Sequence, residues 1–347
     1  MSPRVRGAAA EALRDGDDGS FGRPQRRSRP RTKDRPDYSQ LPQGRVITID
    51  RGRFRCAVVT DDGNAADPPL MVTATKARQL GRKAAIVGDT VRLDGDVSGQ
   101  EGTLARIVEV AERATVLRRT ADDDDPFERP IVANADQLMI VTALADPPPR
   151  MGMIDRIMVA AFDAGITPIL CLTKADLASP DQLRAAYEPL DVEVVVTEPD
   201  ANLDPVHDLL AGHVTVLVGH SGVGKSTLVN ALIPDADRAV GHVNDVTGRG
   251  RHTSTSAIAL QLPANAGWVI DTPGVRSFGL SHVSPDNVLA AFGDLASFTD
   301  ECPRGCQHTS TSPECGLDAA AERGDLAPAR LESFRRMERA GREEPHR

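Results

Sequence analysis

The sequence predicts a multidomain chain: an N-terminal β-barrel of the OB type, then an α/β domain on a mostly parallel sheet, then a small α-helical subdomain carrying a Cys/His cluster. Three observations predict it. Five short apolar runs separated by Gly and Asp lie between residues 43 and 112. Apolar runs then alternate with helical periods up to about residue 274, the rhythm of a parallel sheet covered on both faces. Finally, Cys302, Cys306, His308 and Cys315 lie within fourteen residues, between Ala-, Arg- and Glu-rich helical stretches.

The chain of 347 residues, 40 % of them hydrophobic, has room for two or three domains and enough apolar material for a sizeable core. It has no uninterrupted run of about 18 apolar residues, and its first twenty residues lack the apolar core of a secretory signal. We therefore expect a cytoplasmic protein with no membrane association. A net charge of −9 argues against the whole body binding polyanions, so nucleic acid would have to meet a local patch. Residues 21–36 form one such patch, with seven Arg or Lys against Asp34 and three prolines. With little to bury, residues 1–40 are expected to be a disordered basic tail, serving either solubility or RNA contact.

Residues 41–114 hold the runs RVITID, FRCAVVT, LMVTAT, DTVRLD and TLARIVEV, with turns at Asp61-Asp62-Gly63, Gly88-Asp89 and Asp94-Gly95-Asp96. An OB-type barrel is favoured, although an SH3-like one would give much the same pattern. An Arg-rich and acidic connector, 117–130, leads into the α/β domain assigned to 115–283. Its strands are read at QLMIVTAL, TPILCLTKAD, VEVVVT, VTVLVG, SAIALQL and GWVIDTPG, and its helices at about 151–165, 179–190, 203–212 and 224–233. Residues 284–347 form the helical subdomain.

Gly219-His220-Ser221-Gly222-Val223-Gly224-Lys225-Ser226-Thr227 follows an apolar strand and opens a helical period. This is the strand–loop–helix setting of a phosphate loop, whose glycines let backbone N–H groups turn in on phosphate oxygens. Lys225 is expected on the β- and γ-phosphates and Ser226 on Mg²⁺. Asp271-Thr272-Pro273-Gly274 ends the strand GWVI some 45 residues later. Asp271 suits the water shell of Mg²⁺, and Gly274 an N–H approach to the γ-phosphate.

Base identity rests on Thr173-Lys174-Ala175-Asp176, which follows another apolar strand. Asp176 could accept two hydrogen bonds from guanine N1 and N2, which adenine does not offer, and Lys174 would lie along the base. The box resembles N-K-x-D with Thr in place of Asn, and it precedes the phosphate loop where ordinary GTPases have it late. A sheet can be cut and rejoined elsewhere without moving its site, so a circularly permuted P-loop GTPase domain is expected.

Between loop and switch, Gly241–Ser256 contains Gly248-Arg249-Gly250-Arg251-His252-Thr253-Ser254-Thr255. One of Thr253 and Thr255 is expected to close on Mg²⁺. His252 is the candidate for orienting the attacking water, because Val275 stands where many GTPases carry Gln. Cys302-x₃-Cys306-x-His308-x₆-Cys315 offers three thiolates and an imidazole, a closed four-ligand set suited to one structural Zn²⁺. Cys56 and Cys171 lie in apolar strands and read as core residues.

Taken together, RPIVANAD at 129–136, TKADL, GHSGVGKSTL, GRGRHTSTS, DTPGVRSFGL and the Cys/His cluster, in that order, resemble the ribosome small-subunit-dependent GTPase A family of bacteria from about residue 40 onward. The resemblance implies an OB-fold, a permuted G domain and a zinc subdomain. It further implies a monomer that binds GTP and GDP, contacts the 30S subunit and its 16S rRNA late in maturation, and hydrolyses GTP slowly until the subunit stimulates it. The chain departs from the family in its zinc spacing (x₃/x₆ where about x₄/x₅ is expected), in Thr173, in the acidic run Asp122–Asp125 and in the basic tail. Two other readings compete: a permuted GTPase of large-subunit assembly, and an RNA-binding scaffold ordered by nucleotide with little catalysis.

Overall fold

A computed structural model describes residues 37–61, 63–81, 85–120, 128–234, 257–272, 285–290 and 292–342. Five strands, β1 (Gln43–Asp50), β2 (Arg53–Val59), β3 (Met71–Lys76), β4 (Thr90–Gly95) and β5 (Ala105–Val110), close into a barrel in the order β1-β2-β3-β5-β4. Their alternation explains the closure: Phe54, Cys56, Val72, Ala74, Leu93, Ala105 and Ile107 point inward and are buried. The pairs β1/β2, β2/β3, β4/β5 and β1/β4 are antiparallel, whereas β3 and β5 run parallel. That order and that parallel pair are the OB topology, which resolves the choice against an SH3-like barrel.

The expected connector proves to be partly paired. β6 (Val116–Thr120) and β7 (Glu128–Ala133) form an antiparallel ribbon on either side of the acidic run, which itself lies outside the described residues. Burial of Leu117, Val132 and Ala133 holds the ribbon down, and the Ala133 N–H donates to the Val87 carbonyl of the barrel at 2.9 Å. Pro130, which lacks an N–H, sits where the register slips between Leu117 and Arg118.

The second sheet has the order β10-β9-β8-β11-β13-β12, from β8 (Gln137–Ala143), β9 (Thr167–Thr173), β10 (Glu193–Val196), β11 (His213–Val218), β12 (Ile258–Gln261) and β13 (Gly267–Asp271). All pairs are parallel except β12/β13. Central β8 is buried along its whole length, as a strand covered on both faces must be. The helices α1 (Met151–Asp163), α2 (Asp181–Tyr187), α3 (Asp204–Leu210) and α4 (Lys225–Leu232) fall within the ranges read from periodicity. The second stops short as an α-helix and tightens to a 3₁₀ turn at Glu188–Leu190, where Pro189 enters.

The C-terminal helices are α5 (Pro285–Ala290), α6 (Gly293–Ala296), α7 (Gly316–Arg323) and α8 (Pro328–Arg342). α8 lies on α1, and the core runs without a break from the sheet into it. Phe162, Phe292 and Phe334 pack edge to face with centroids 5.7 and 5.3 Å apart. Beside them, buried Asp155 of α1 accepts from the Tyr187 hydroxyl at 2.8 Å and faces Arg336 Nε of α8 at 3.2 Å. Burial raises the Asp155 pKa above the ordinary carboxylate range, with the Arg336 charge opposing it. Among the described residues, no helix is long and apolar enough to cross a membrane.

Candidate nucleotide-binding site and metal cluster

The carboxyl ends of β8, β9, β11 and β13 converge, and this is where an open parallel sheet takes its ligands. β11 leads into the loop 219–224, which turns into α4 at Lys225. Gly222 and Gly224 have φ of 85° and 92°, conformations that a side chain would strain. A Cβ on Gly219 would lie 2.5 Å from the Val141 carbonyl oxygen, so the loop passes too close to β8 for any other residue. The His220 ring meets the Ser221 carbonyl at 2.9 Å; Val223 is buried, and Ser226 and Thr227 lie exposed in the first turn of α4.

Lys225 opens α4, and its ammonium donates to Asp271 Oδ1 at 2.5 Å and to the Thr272 carbonyl at 3.0 Å. The Thr272 hydroxyl donates to the Leu217 carbonyl at 2.7 Å, pinning the end of β13 to β11. Lysine and aspartate therefore stand side by side, 46 residues apart in sequence.

Thr173-Lys174-Ala175-Asp176 leaves β9 two strands away. Thr173 is buried, and its hydroxyl donates to the Val223 carbonyl at 2.5 Å, tying the box to the glycine-rich loop. Lys174 adopts φ 59° and donates to the Asp146 carbonyl, while the Ala175 N–H donates to the Thr197 carbonyl at 3.3 Å. Asp176 is exposed. Three neighbouring loops thus clamp the box. Sequence reading missed two of the clamps, Asp146 after β8 and Thr197 after β10. Both sit at carboxyl ends of parallel strands, and that position was the available signal. His252, Thr253, Thr255 and Gly274 lie outside the described residues.

The ligand atoms of Cys302, Cys306, His308 and Cys315 all lie within 4.8 Å of one another, so the cluster could hold a metal ion. Cys302 Sγ and Cys315 Sγ stand 3.5 and 3.8 Å from His308 Nδ1, spacings that suit a tetrahedral donor set. The Gly316 N–H donates to Cys302 Sγ at 3.1 Å; a Cβ there would lie 2.4 Å from the Phe298 carbonyl oxygen. Buried Arg335 of α8, also missed in the sequence, donates to the His308 and Thr309 carbonyls at 3.1 and 3.3 Å and to Asp318 at 2.8 Å. Cys56 and Cys171 are core residues as expected, and burial pushes both thiols up to about 12.

A glycine-rich loop with its lysine and aspartate, braced to a Thr-Lys-x-Asp loop that comes earlier in the chain but lies beside it in the sheet, defines a circularly permuted GTPase. The comparisons agree. The family model for the RsgA GTPase matches residues 110–281. The small ribosomal subunit biogenesis GTPase RsgA of Pseudomonas aeruginosa (strain LESB58) is 39 % identical over 249 residues, 69 % of this chain and 72 % of that protein. The protein of the same name from Alcanivorax borkumensis is 38 % identical over 258 residues, 72 % of this chain and 71 % of that one. The chain belongs to the RsgA GTPase family. Among solved structures, YloQ, a circularly permuted GTPase, superposes with a TM-score of 0.63 at 23 % identity, covering 89 % of this chain and 98 % of that one. YjeQ from Thermotoga maritima does so with 0.61 at 24 %, covering 86 % and 97 %; at these identities the likeness speaks for the fold.

Proposed function

We propose that the protein binds the small ribosomal subunit and hydrolyses GTP to GDP and phosphate to assist the subunit's late maturation. The relatives' names supply the subunit, and the observation that carries the chemistry is Lys225 set against Asp271 at 2.5 Å beneath an intact glycine-rich loop. Lys225 and the loop's N–H groups take the phosphates. Ser226 and one of Thr253 and Thr255 ligate Mg²⁺, Asp271 holds its water shell, and Gly274 senses the γ-phosphate. Asp176 reads guanine with Lys174 along the base, and His252 orients the attacking water. Cys302, Cys306, His308 and Cys315 hold one structural Zn²⁺, the metal that three thiolates and an imidazole favour.

The 16S rRNA meets the outer face of the barrel. Arg53 pairs in register with Thr75, and Thr75 with Arg106; Arg55 faces Thr73 in the next row. The partly or fully exposed arginines of β2 and β5 thereby line one face, a local basic patch on an acidic protein. The protein acts as a cytoplasmic monomer.

The test is GTP turnover by the full chain with and without purified 30S subunits. Slow turnover alone and a large increase with 30S are expected. Stimulation by the 50S subunit instead would support large-subunit assembly, and no turnover in either case would support the scaffold reading.

A further inference from the structure

Lys225 and Asp271, each expected to serve the nucleotide or its metal, are paired with each other. Lys225 has three N–H donors, and two are engaged within the protein, by Asp271 Oδ1 at 2.5 Å and by the Thr272 carbonyl at 3.0 Å. The pair is largely screened from solvent, with side-chain exposures of 11 % and 21 %, so the attraction is less weakened than at an open surface. Thr272 is itself fixed through its hydroxyl to Leu217, so the backbone that presents Asp271 is held to β11, the strand that leads into the glycine-rich loop.

We infer that Asp271 is a specificity-determining residue, acting as an internal competitor for Lys225 that makes the site favour Mg²⁺-loaded over Mg²⁺-free nucleotide. The inference rests on the assignment of Lys225 to phosphate. A bare diphosphate meets an ammonium already neutralised by a carboxylate, and must displace that carboxylate or accept it as a like-charged neighbour. A nucleotide that brings Mg²⁺ offers Asp271 a stronger positive partner in the water shell of the ion, and the freed lysine turns to the phosphates. Exchange of partners at one carboxylate thus couples metal and phosphate binding, and by linkage the coupling acts equally in both directions. Beyond holding Mg²⁺, Asp271 penalises nucleotide that arrives without it.

The experiment is GDP affinity of the full-length protein, measured by fluorescence of a labelled GDP with excess Mg²⁺ and with EDTA. In EDTA, Asp271→Asn should bind GDP about tenfold more tightly than wild type, a change equivalent to ~1.4 kcal/mol, while with Mg²⁺ its affinity should fall. Asp271→Ala removes the same charge and must show the same gain in EDTA, which guards against a fault peculiar to one variant. Because the gain passes through Lys225, it should vanish in the Lys225→Gln background. Affinity in EDTA that is unchanged or weaker in both Asp271 variants overturns the proposal. So does a gain that persists without Lys225, since that would be general charge repulsion. If Lys225→Gln alone leaves GDP binding intact, the assignment of Lys225 to phosphate fails, which is a separate result.

Discussion

Thr173 stands where a guanine-reading box ordinarily has Asn, and its neighbours show how the substitution is accommodated. Its hydroxyl reaches the Val223 carbonyl of the glycine-rich loop, so the first position of the box is used to brace two loops against each other. On the proposed assignment base selectivity falls on Asp176, which is exposed to solvent, with Lys174 anchored beside it to the Asp146 carbonyl. Replacing Asp176 by Asn turns one acceptor into a donor, which suits xanthine O2 and clashes with guanine N2. Asp176→Asn should lose at least about 100-fold in GTP affinity, within the roughly 10⁴- to 10⁵-fold by which a site built around hydrogen bonds can reject the wrong partner, and should bind xanthosine triphosphate better than GTP. Competition binding with both nucleotides decides it; unchanged GTP preference would remove Asp176 from the base site.

Elements differ in how legible they were. The strands of both sheets could be read because alternation and apolar runs are local signals: Phe54 and Cys56 facing in with Arg53 and Arg55 facing out need no partner to be recognised. The β6/β7 ribbon was not read, because its pairing spans the acidic run and rests on burial of Leu117 against residues fifteen positions on. Likewise Cys302, Cys306, His308 and Cys315 announce themselves by residue type, whereas Arg335, twenty-seven residues beyond His308, is one arginine among several on a charged helix. Only the fold shows that α8 carries two adjacent grips, Arg335 on the Cys/His loop and Arg336 on α1 and α2. Residues that orient metal ligands matter nearly as much as the ligands. Arg335→Met, which keeps the apolar stem, should weaken metal affinity about 10- to 100-fold, read as faster loss of metal to a chelator. Wild-type retention would confine Arg335 to packing.

At the scale of the whole molecule, the barrel is docked on the strand that follows the stretch containing His252. β12 begins at Ile258, β1 packs against it, and the guanidinium of buried Arg45 lies 5.2 Å from the ring centroid of Trp268 on neighbouring β13. The seam is closed by Gln261 donating to the Ala65 carbonyl and by the Ala264 N–H donating to Asp67 at 3.2 Å. A subunit bound, as proposed, at the arginines of β2 and β5 would act on a barrel whose β1 rests against β12, the strand that follows the stretch with His252. Holding and pulling should separate under mutation. Arg53→Ser with Arg55→Ser and Arg106→Ser removes charge from the outer face; it should weaken 30S binding and reduce the salt dependence by about 0.7 to 0.9 log units per log unit of salt for each phosphate no longer neutralised. Arg45→Ala leaves that face untouched and removes a cation–π interaction worth about 0.5 to 2 kcal/mol at the seam. It should keep GTP affinity, intrinsic turnover and 30S affinity within a few-fold, yet lower 30S-stimulated turnover by about tenfold, because a looser seam transmits less of the docking energy to the segment carrying His252. If Arg45→Ala is stimulated as fully as wild type, the barrel serves as a tether alone, and the subunit must act on the switch directly.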